Sequence, residues 1–345
     1  MDLETFDDVI ASIEKNKGKR KFHLLLGNGF SMAYDSKIFS YNALHDFVSK
    51  EGNQLLTDLF DTIKTKNFEE VMRQLENFAA LVDVFGTDEK LKEKVKAAET
   101  ELKAKLLEAI KSLHPEHVFK VPQEKSDQCG SFLRRFIDTG GGVFTTNYDL
   151  LLYWVLMRSL IDHSKDGFGR DRENLDEYVP DDELVYSELR WGRNKAKQNI
   201  FYLHGALPLF DTGIEVVKEE YDQENYLLEK ISTRMSQGSY PIFVTAGDAT
   251  DKLKHIMHNR YLSDCYEKLS TCTGTLVAVG FNFGEYDSHI VDAINAAAKQ
   301  GAADCLRSVY IGVFSEKDKK HIESLAPKIK CKVRIFDSKT TNIWG

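Results

Sequence analysis

The sequence has few cysteines and lacks any long apolar run. Its five cysteines, at positions 129, 265, 272, 305 and 331, form no C-x-x-C pair, which argues against a disulfide framework and against paired-cysteine zinc sites. No apolar segment approaches the roughly 20 residues that cross a membrane, and the N-terminus lacks the basic and apolar regions of a secretion signal. These absences predict a cytoplasmic protein without membrane segments.

The sequence also has no excess of basic residues. The 345 residues include 46 Lys and Arg against 54 Asp and Glu, which gives a formal net charge of -8. An acidic chain is poorly suited to the phosphate backbone, so no direct nucleic-acid binding is expected. With 42% hydrophobic residues the chain can bury a large core, and we expect one domain over 1–345.

Seven apolar runs predict β-strands, at 22–26, 142–146, 199–203, 241–245, 275–279, 308–313 and 332–336. Most of them are continuously apolar and do not alternate with polar residues. That pattern is typical of parallel strands that are covered by helices on both faces. The sequence therefore predicts an α/β fold with a parallel sheet of about six or seven strands.

Two long stretches interrupt the predicted strands. The first, about 115 residues after the first strand, exceeds a simple crossover and predicts a helical insertion over 42–138. Apolar residues recur there at helical spacing and end before Pro115: Leu91, Val95, Ala98, Leu102, Leu106, Ile110 and Leu113. This face of a long helix would pack within the insertion or against a partner. The second stretch, 162–198, predicts a long loop or lid, with disorder as the alternative.

Glycines follow the first predicted strand in the motif Gly27-Asn28-Gly29-Phe30-Ser31. Such glycines allow a close approach of the backbone to a diphosphate. The dinucleotide fingerprint of dehydrogenases would need another glycine where Met32 stands, which argues against a hydride-transferring enzyme.

Three further motifs follow later strands: Thr145-Thr146-Asn147-Tyr148-Asp149, Leu203-His204-Gly205 and Gly280-Phe281-Asn282. Structural alternatives are open for residues in and near these motifs, because Asn147, Asp149, Asp287 or Ser288 could cap a helix and His204 could be a buried, hydrogen-bonded residue. The carboxyl ends of parallel strands share one crevice, however, so all four motifs can converge on one ligand.

Taken in order, the segments G-N-G-F-S, T-T-N-Y-D, L-H-G and V-G-F-N-F-G-E-Y-D resemble the sirtuin superfamily, specifically SIR2-like bacterial proteins that cleave NAD. The resemblance covers residues 22–294, and the stretch 241–263 is also similar to an uncharacterised SIR2-like bacterial family. It implies a Rossmann-like sheet with NAD, as substrate, lying across the strand ends.

The resemblance also implies roles for individual residues. Asn147 would lie beside the nicotinamide ribose, Asp149 would hold the carboxamide and His204 would act as general base. Further contacts to NAD are implied for Gly27, Asn28, Gly29, Phe30, Ser31, Thr146, Gly280, Asn282 and Asp287. A base and fixed dipoles suit the oxocarbenium-like ribose that forms when nicotinamide leaves.

Two departures from deacylating sirtuins favour hydrolysis. The paired zinc cysteines are missing, and Thr146 stands where those enzymes have glutamine. The resemblance thus implies an NAD glycohydrolase that releases nicotinamide and ADP-ribose in antiphage defence, controlled by a partner protein or by homo-oligomeric assembly. A sensor that binds NAD without turnover, and a deacylase or ADP-ribosyltransferase, are the alternatives.

A metal cofactor is not expected from the sequence. His255 and His258 lie three residues apart on a predicted helix, but no third ligand accompanies them at a suggestive spacing.

Overall fold

The computed structural model describes residues 3–15, 21–39, 41–50, 53–65, 68–86, 88–115, 117–159, 161–173, 184–221, 226–244, 248–299 and 304–345. The strands are β1 (Phe22–Leu26), β2 (Val143–Thr145), β3 (Phe168–Gly169), β4 (Leu189–Trp191), β5 (Ile200–Tyr202), β6 (Gly205–Asp211), β7 (Val216–Lys218), β8 (Pro241–Phe243), β9 (Gly274–Val279), β10 (Leu306–Val313) and β11 (Lys332–Asp337). The helices are α1 (Phe6–Lys15), α2 (Asn28–Tyr34), α3 (Ser36–Phe39), α4 (Tyr41–Lys50), α5 (Gln54–Ile63), α6 (Phe68–Phe85), α7 (Glu89–Leu113), α8 (Gln123–Ile137), α9 (Leu151–Arg158), α10 (Leu227–Ser236), α11 (Ala249–His258), α12 (Arg260–Ser270), α13 (Ser288–Ala297) and α14 (Glu316–Leu325).

Six strands form an all-parallel sheet in the order β11-β10-β9-β1-β2-β5. In its centre, Leu24 of β1 lies opposite Val143 of β2 and Val277 of β9. Every residue of β1 and β9 is buried, as expected for strands that are covered on both faces. The predicted α/β class with a Rossmann-like parallel sheet is confirmed.

The strand order changes direction at β1. From β1 the chain continues to β2 and β5 on one side, whereas β9, β10 and β11 extend the sheet on the other side. A reversal of this kind opens a crevice outside the carboxyl ends of the two strands that flank it. In this sheet the crevice lies where β1 and β9 end.

Six of the seven predicted strands belong to the parallel sheet, with bounds within two residues of the prediction. Assigning the seventh, 241–245, to that sheet is wrong. Its described part is β8, which pairs antiparallel with β6 in a second sheet of order β3-β4-β7-β6-β8, while residue 245 lies outside the described residues. An apolar run predicts a buried strand but does not identify its neighbours, so the second sheet was not predicted.

Helices α2 to α8 occupy the chain between β1 and β2, as the length of that stretch predicts. The long amphipathic helix is α7, which ends at Leu113 as predicted. Val95, Ala98 and Leu102 on its apolar face are buried, and α7 packs against α4 and α6. This face therefore packs within the insertion. Helix α8 instead packs on β1, β2 and α9.

The stretch 162–198, predicted as a loop or lid, contributes β3 and β4 to the second sheet, with Phe168 opposite Trp191. Residues 174–183 of this stretch lie outside the described residues. Throughout the described ranges, no helix combines the length and apolar character needed to cross a membrane.

His23 joins three strands of the parallel sheet at its amino-terminal edge. Its Nδ1 accepts from the Gly142 amide before β2 at 2.8 Å, and its Nε2 donates to the Thr273 carbonyl before β9 at 3.1 Å. Burial lowers the pKa of His23 to about 4, although the hydrogen bond to Thr273 opposes this shift. The ring is therefore neutral at pH 7, and protonation of Nδ1 would break the bond to Gly142.

Acidification should therefore weaken the fold through His23. A pKa that is about 6.5 in the unfolded chain and about 4 in the fold means that stability is complete above pH 6.5 and falls as the pH drops towards 4. Between pH 7.5 and pH 5 this group should cost about 2 kcal/mol of unfolding free energy. In His23→Asn, whose amide oxygen can still accept from Gly142, urea unfolding should lose that part of the pH dependence. Equal pH dependence in both proteins would contradict this account.

Candidate functional site

A cavity of about 970 Å³ opens at the carboxyl edge of the parallel sheet. Residues that follow all six parallel strands line it: Gly29, Thr146, His204, Gly280, Phe314 and Ser338. The four sequence motifs therefore converge on one cavity, as their strand-end positions predict.

Nine of the twelve predicted site residues line this cavity: Asn28, Gly29, Thr146, Asn147, Asp149, His204, Gly280, Asn282 and Asp287. The other three, Gly27, Phe30 and Ser31, do not. Phe30 and Ser31 are 1% and 0% exposed and form the layer behind the wall. Their contribution is to support lining residues.

The glycines bring the ends of β1 and β9 together. The Gly27 amide donates to Val279 O at 3.1 Å, and the Gly29 amide donates to Gly280 O at 2.8 Å. Gly280 has φ +67, and a Cβ there would lie 2.5 Å from Phe30 N. Both amides therefore already donate to backbone carbonyls, and the missing side chains of these glycines allow the two backbones to approach closely.

A directed chain of hydrogen bonds links two strand ends. Asn147 donates through Nδ2 to Ser31 Oγ at 2.9 Å, and Ser31 donates through Oγ to Asp149 Oδ2 at 2.6 Å. A carboxylate only accepts, so the Ser31 hydroxyl must donate to it and must accept from the amide. These two bonds fix the orientation of the Asn147 side-chain amide, and its Oδ1 can accept a hydrogen bond from a ligand.

Asp149 also stabilises the start of α9. Its Oδ1 accepts from the Leu151 amide at 2.8 Å, although the N-cap residue of this helix is Leu150 and not Asp149. His114, at the end of the insertion, lies beside it, with Nε2 3.8 Å from Asp149 Oδ1. That nitrogen accepts from the Leu150 amide at 3.0 Å and therefore carries no hydrogen to donate to the carboxylate.

His204 lies where the chain passes from the parallel sheet to the second sheet. β5 ends at Tyr202 and β6 begins at Gly205, which has φ +82. A Cβ on Gly205 would lie 1.9 Å from Ile242 O, so the turn requires glycine. The His204 carbonyl accepts from Val244 N at 3.0 Å, which anchors the turn to the residue after β8.

The imidazole of His204 belongs to a cluster with the half-buried Asp287 and the buried residues His289 and Lys252. The Nε2 atoms of His204 and His289 lie 2.9 Å apart, with ring centroids 5.1 Å apart, so the two rings meet edge to edge. Lys252, only 1% exposed, donates to Asp287 Oδ1 at 3.0 Å. Asp287 occupies the N-cap position of α13 but makes no capping hydrogen bond with its side chain.

Burial sets the protonation states in this cluster. It lowers the pKa of His204 to about 3 and that of His289 to about 4, while Asp287 opposes both shifts. For Asp287, burial acts to raise the pKa, but the charge and the hydrogen bond of the Lys252 ammonium act to lower it, and the net shift is downward. At neutral pH two neutral imidazoles therefore face a carboxylate. Since Nε2 of His204 faces His289, Nδ1 is the nitrogen left for a ligand.

Residues 338–345 close one side of the cavity. Trp344 donates through Nε1 to Phe30 O at 2.9 Å, and its ring lies 5.0 Å from those of both Phe30 and Tyr34, measured between centroids. This segment therefore packs on the helix that follows the first glycine motif.

The sequence did not single out His114, Lys252, His289 or Trp344 as site residues. His289 follows Asp287 by two positions, which was a usable signal. Lys252 lies on an ordinary amphipathic helix, α11, and carries no local signal. His255 on that helix is exposed, and the described residues offer it no metal-binding group.

The fold and the site define a Rossmann-like α/β protein with a ligand-sized cavity at the switch point of its sheet, which is the place where the strand order reverses. The model of one family, described as Domain of unknown function (DUF4917), matches residues 24–344. The chain belongs to this family. No curated protein matches it.

Replacing Gly280 by alanine should destabilise the fold and separate the two strand ends. A left-handed backbone costs alanine about 1–2 kcal/mol, and the Cβ would also contact Phe30 N at 2.5 Å. Gly284→Ala is the matched control, because its φ is -63 and its Cβ would meet only Asn282 Nδ2, at 3.9 Å. Denaturant unfolding should show a loss above about 2 kcal/mol for Gly280→Ala and little change for the control. Similar losses in both variants would contradict the close-approach explanation.

Proposed function

We propose that the cavity binds NAD and that the protein hydrolyses the bond between nicotinamide and ribose, releasing nicotinamide and ADP-ribose. The observation that carries this proposal is the meeting of Ser31, Asn147, Asp149 and His204 beside a cavity at the switch point of a parallel sheet. Dinucleotides bind at such switch points in Rossmann-like folds. The cavity volume of about 970 Å³ suits a ligand of this size.

Asn147 is the residue that we assign to the nicotinamide ribose. Ser31 holds its Nδ2, so Oδ1 is presented in a fixed orientation and can accept from a ribose hydroxyl. Both oxygens of Asp149 already accept hydrogen bonds. Oδ2 accepts from Ser31, and Oδ1 accepts from Leu151 at the start of α9. In this proposal Asp149 therefore positions Asn147 in addition to any contact with the carboxamide.

His204 is the residue that we assign to proton transfer. Loss of neutral nicotinamide leaves an oxocarbenium-like ribose, which the nearby carboxylates of Asp149 and Asp287 favour electrostatically. Water then adds to the anomeric carbon, and its proton passes to Nδ1 of His204. His204 is neutral at the pH of a cell and can therefore accept a proton, and the Asp287 carboxylate opposes the lowering of its pKa by burial.

The adenosine half would extend past Gly280 and Asn282 towards the ends of β10 and β11. Phe314, 67% exposed, offers a ring face there, and Lys339 Nζ lies 4.8 Å from its centroid. An aromatic ring with a neighbouring cation suits an adenine base next to a diphosphate.

Unrestrained NAD hydrolysis would poison a cell. We therefore propose that a partner protein or homo-oligomeric assembly controls the activity in the cytoplasm, and that the protein depletes NAD in antiphage defence. The similarity of the four motifs to SIR2-like NAD-cleaving proteins supports this role.

Purified protein should release nicotinamide from NAD, and His204→Ala and Asn147→Ala should each lower kcat/KM by at least about 100-fold. His255→Ala is the matched control, since His255 is exposed on α11 and does not line the cavity. Chromatography of nicotinamide and ADP-ribose, with and without candidate partners, measures the reaction. NAD binding without release would favour the sensor, and label transfer from NAD to protein would favour a transferase.

In cells, phage infection should lower NAD when the wild-type protein is expressed but not when His204→Ala is expressed at the same level. The reason is that loss of NAD needs turnover, whereas sensing needs only binding. NAD levels and culture survival after infection provide the measurement. Equal protection by His204→Ala would remove NAD cleavage as the cause of defence.

A further inference from the structure

Three potential metal ligands, one of which is the proposed base His204, lie close together. One nitrogen each from His204 and His289 and one carboxylate oxygen of Asp287 all lie within 4.8 Å of one another. We propose that this cluster binds a divalent transition-metal ion of the Zn²⁺ type, and that the bound ion inhibits the enzyme. Inhibition rests on the proposed NAD hydrolysis, whereas metal binding does not.

The spacing of the two imidazoles fits one shared ion. Two nitrogens that each bind zinc at about 2.0–2.1 Å stand about 3.3–3.4 Å apart at a tetrahedral angle and about 2.9 Å apart at a right angle. The Nε2 atoms of His204 and His289 are already 2.9 Å apart. Rotation of the two rings would turn both lone pairs to a common point, where the ion replaces the hydrogen that now joins them.

The third ligand has an oxygen available. Asp287 uses Oδ1 for the hydrogen bond with Lys252, and Oδ2 remains to bind the ion. Two imidazoles and one carboxylate form a ligand set that borderline divalent metals accept. His204, Asp287 and Lys252 all line the cavity, which provides an entry path and room for water ligands.

Lys252 limits the affinity. Its ammonium lies 3.0 Å from the Asp287 carboxylate and would lie close to the bound dication. Repulsion between like charges makes this a weaker site than a dedicated structural zinc site. The same repulsion provides a test, because removal of this charge should strengthen binding while removal of a ligand weakens it.

Metal binding would block proton transfer through His204. A neutral imidazole that binds a metal through Nε2 carries its hydrogen on Nδ1. Nδ1 is the nitrogen that faces the ligand in the proposed reaction, so it could no longer accept a proton. Inhibition should therefore follow the binding curve and should appear in kcat.

Titration of chelator-treated protein with Co²⁺, followed by visible absorption and then by Zn²⁺ competition, tests the site without any activity. His289→Ala and Asp287→Asn should weaken binding by at least the roughly 10–100-fold that loss of an outer-shell partner costs. Lys252→Met should bind several-fold more tightly, and His255→Ala should match the wild type. Circular dichroism checks that each variant is folded.

Wild-type affinity that persists in both His289→Ala and Asp287→Asn would overturn the site, as would a wild-type protein that shows no Co²⁺ absorption. If Lys252→Met does not fold, the melting temperature provides the test. Zn²⁺ should raise it in the wild type but not in His289→Ala, and an equal rise in both proteins would contradict the site. Zn²⁺ inhibition of nicotinamide release at the binding midpoint supports the regulatory half. If the protein binds Co²⁺ here but never hydrolyses NAD, the proposed function fails while the metal site stands.

Discussion

The close approach of β1 and β9 at their carboxyl ends is the constraint on which the site depends. Two backbone hydrogen bonds, from Gly27 to Val279 and from Gly29 to Gly280, hold the ends together where a Cβ has no room. This contact occurs where the strand order reverses, so it both closes the floor of the crevice and fixes the start of α2. Ser31 consequently lies, fully buried, at a fixed position behind the cavity wall.

From that position Ser31 connects elements that are far apart in the chain. It accepts from Asn147 and donates to Asp149, which in turn holds the first turn of α9. Each donor and acceptor in this chain has one compatible direction, because a carboxylate cannot donate. Buried polar networks are stable only when their members are satisfied, and this one orients an amide towards the cavity as a result.

The sequence predicts the parallel sheet well because continuous burial leaves a local pattern. The apolar runs at β1 and β9 and the glycines after them can be recognised without knowledge of the neighbours, and nine of the twelve predicted residues line the cavity. The second sheet could not be predicted in the same way, because β8 is an apolar run like the others and differs only in its partner. Lys252 reaches Asp287 across 35 positions, and His289 reaches His204 across 85, so those contacts exist only in the folded chain.

Burial both enables and limits the proposed chemistry. Desolvation keeps His204 neutral, disfavours its protonated form and makes an uncompensated charge beside it costly. Asp287 remains ionised there because the Lys252 ammonium stabilises its charge, and the hydrogen bond to Asp287 in turn offsets part of the cost of burying Lys252. The pair therefore places a dipole of nearly zero net charge next to two neutral imidazoles. Such a cluster is poised to respond to any cation that enters, since a developing charge on the ribose and a bound dication would both draw on the same carboxylate.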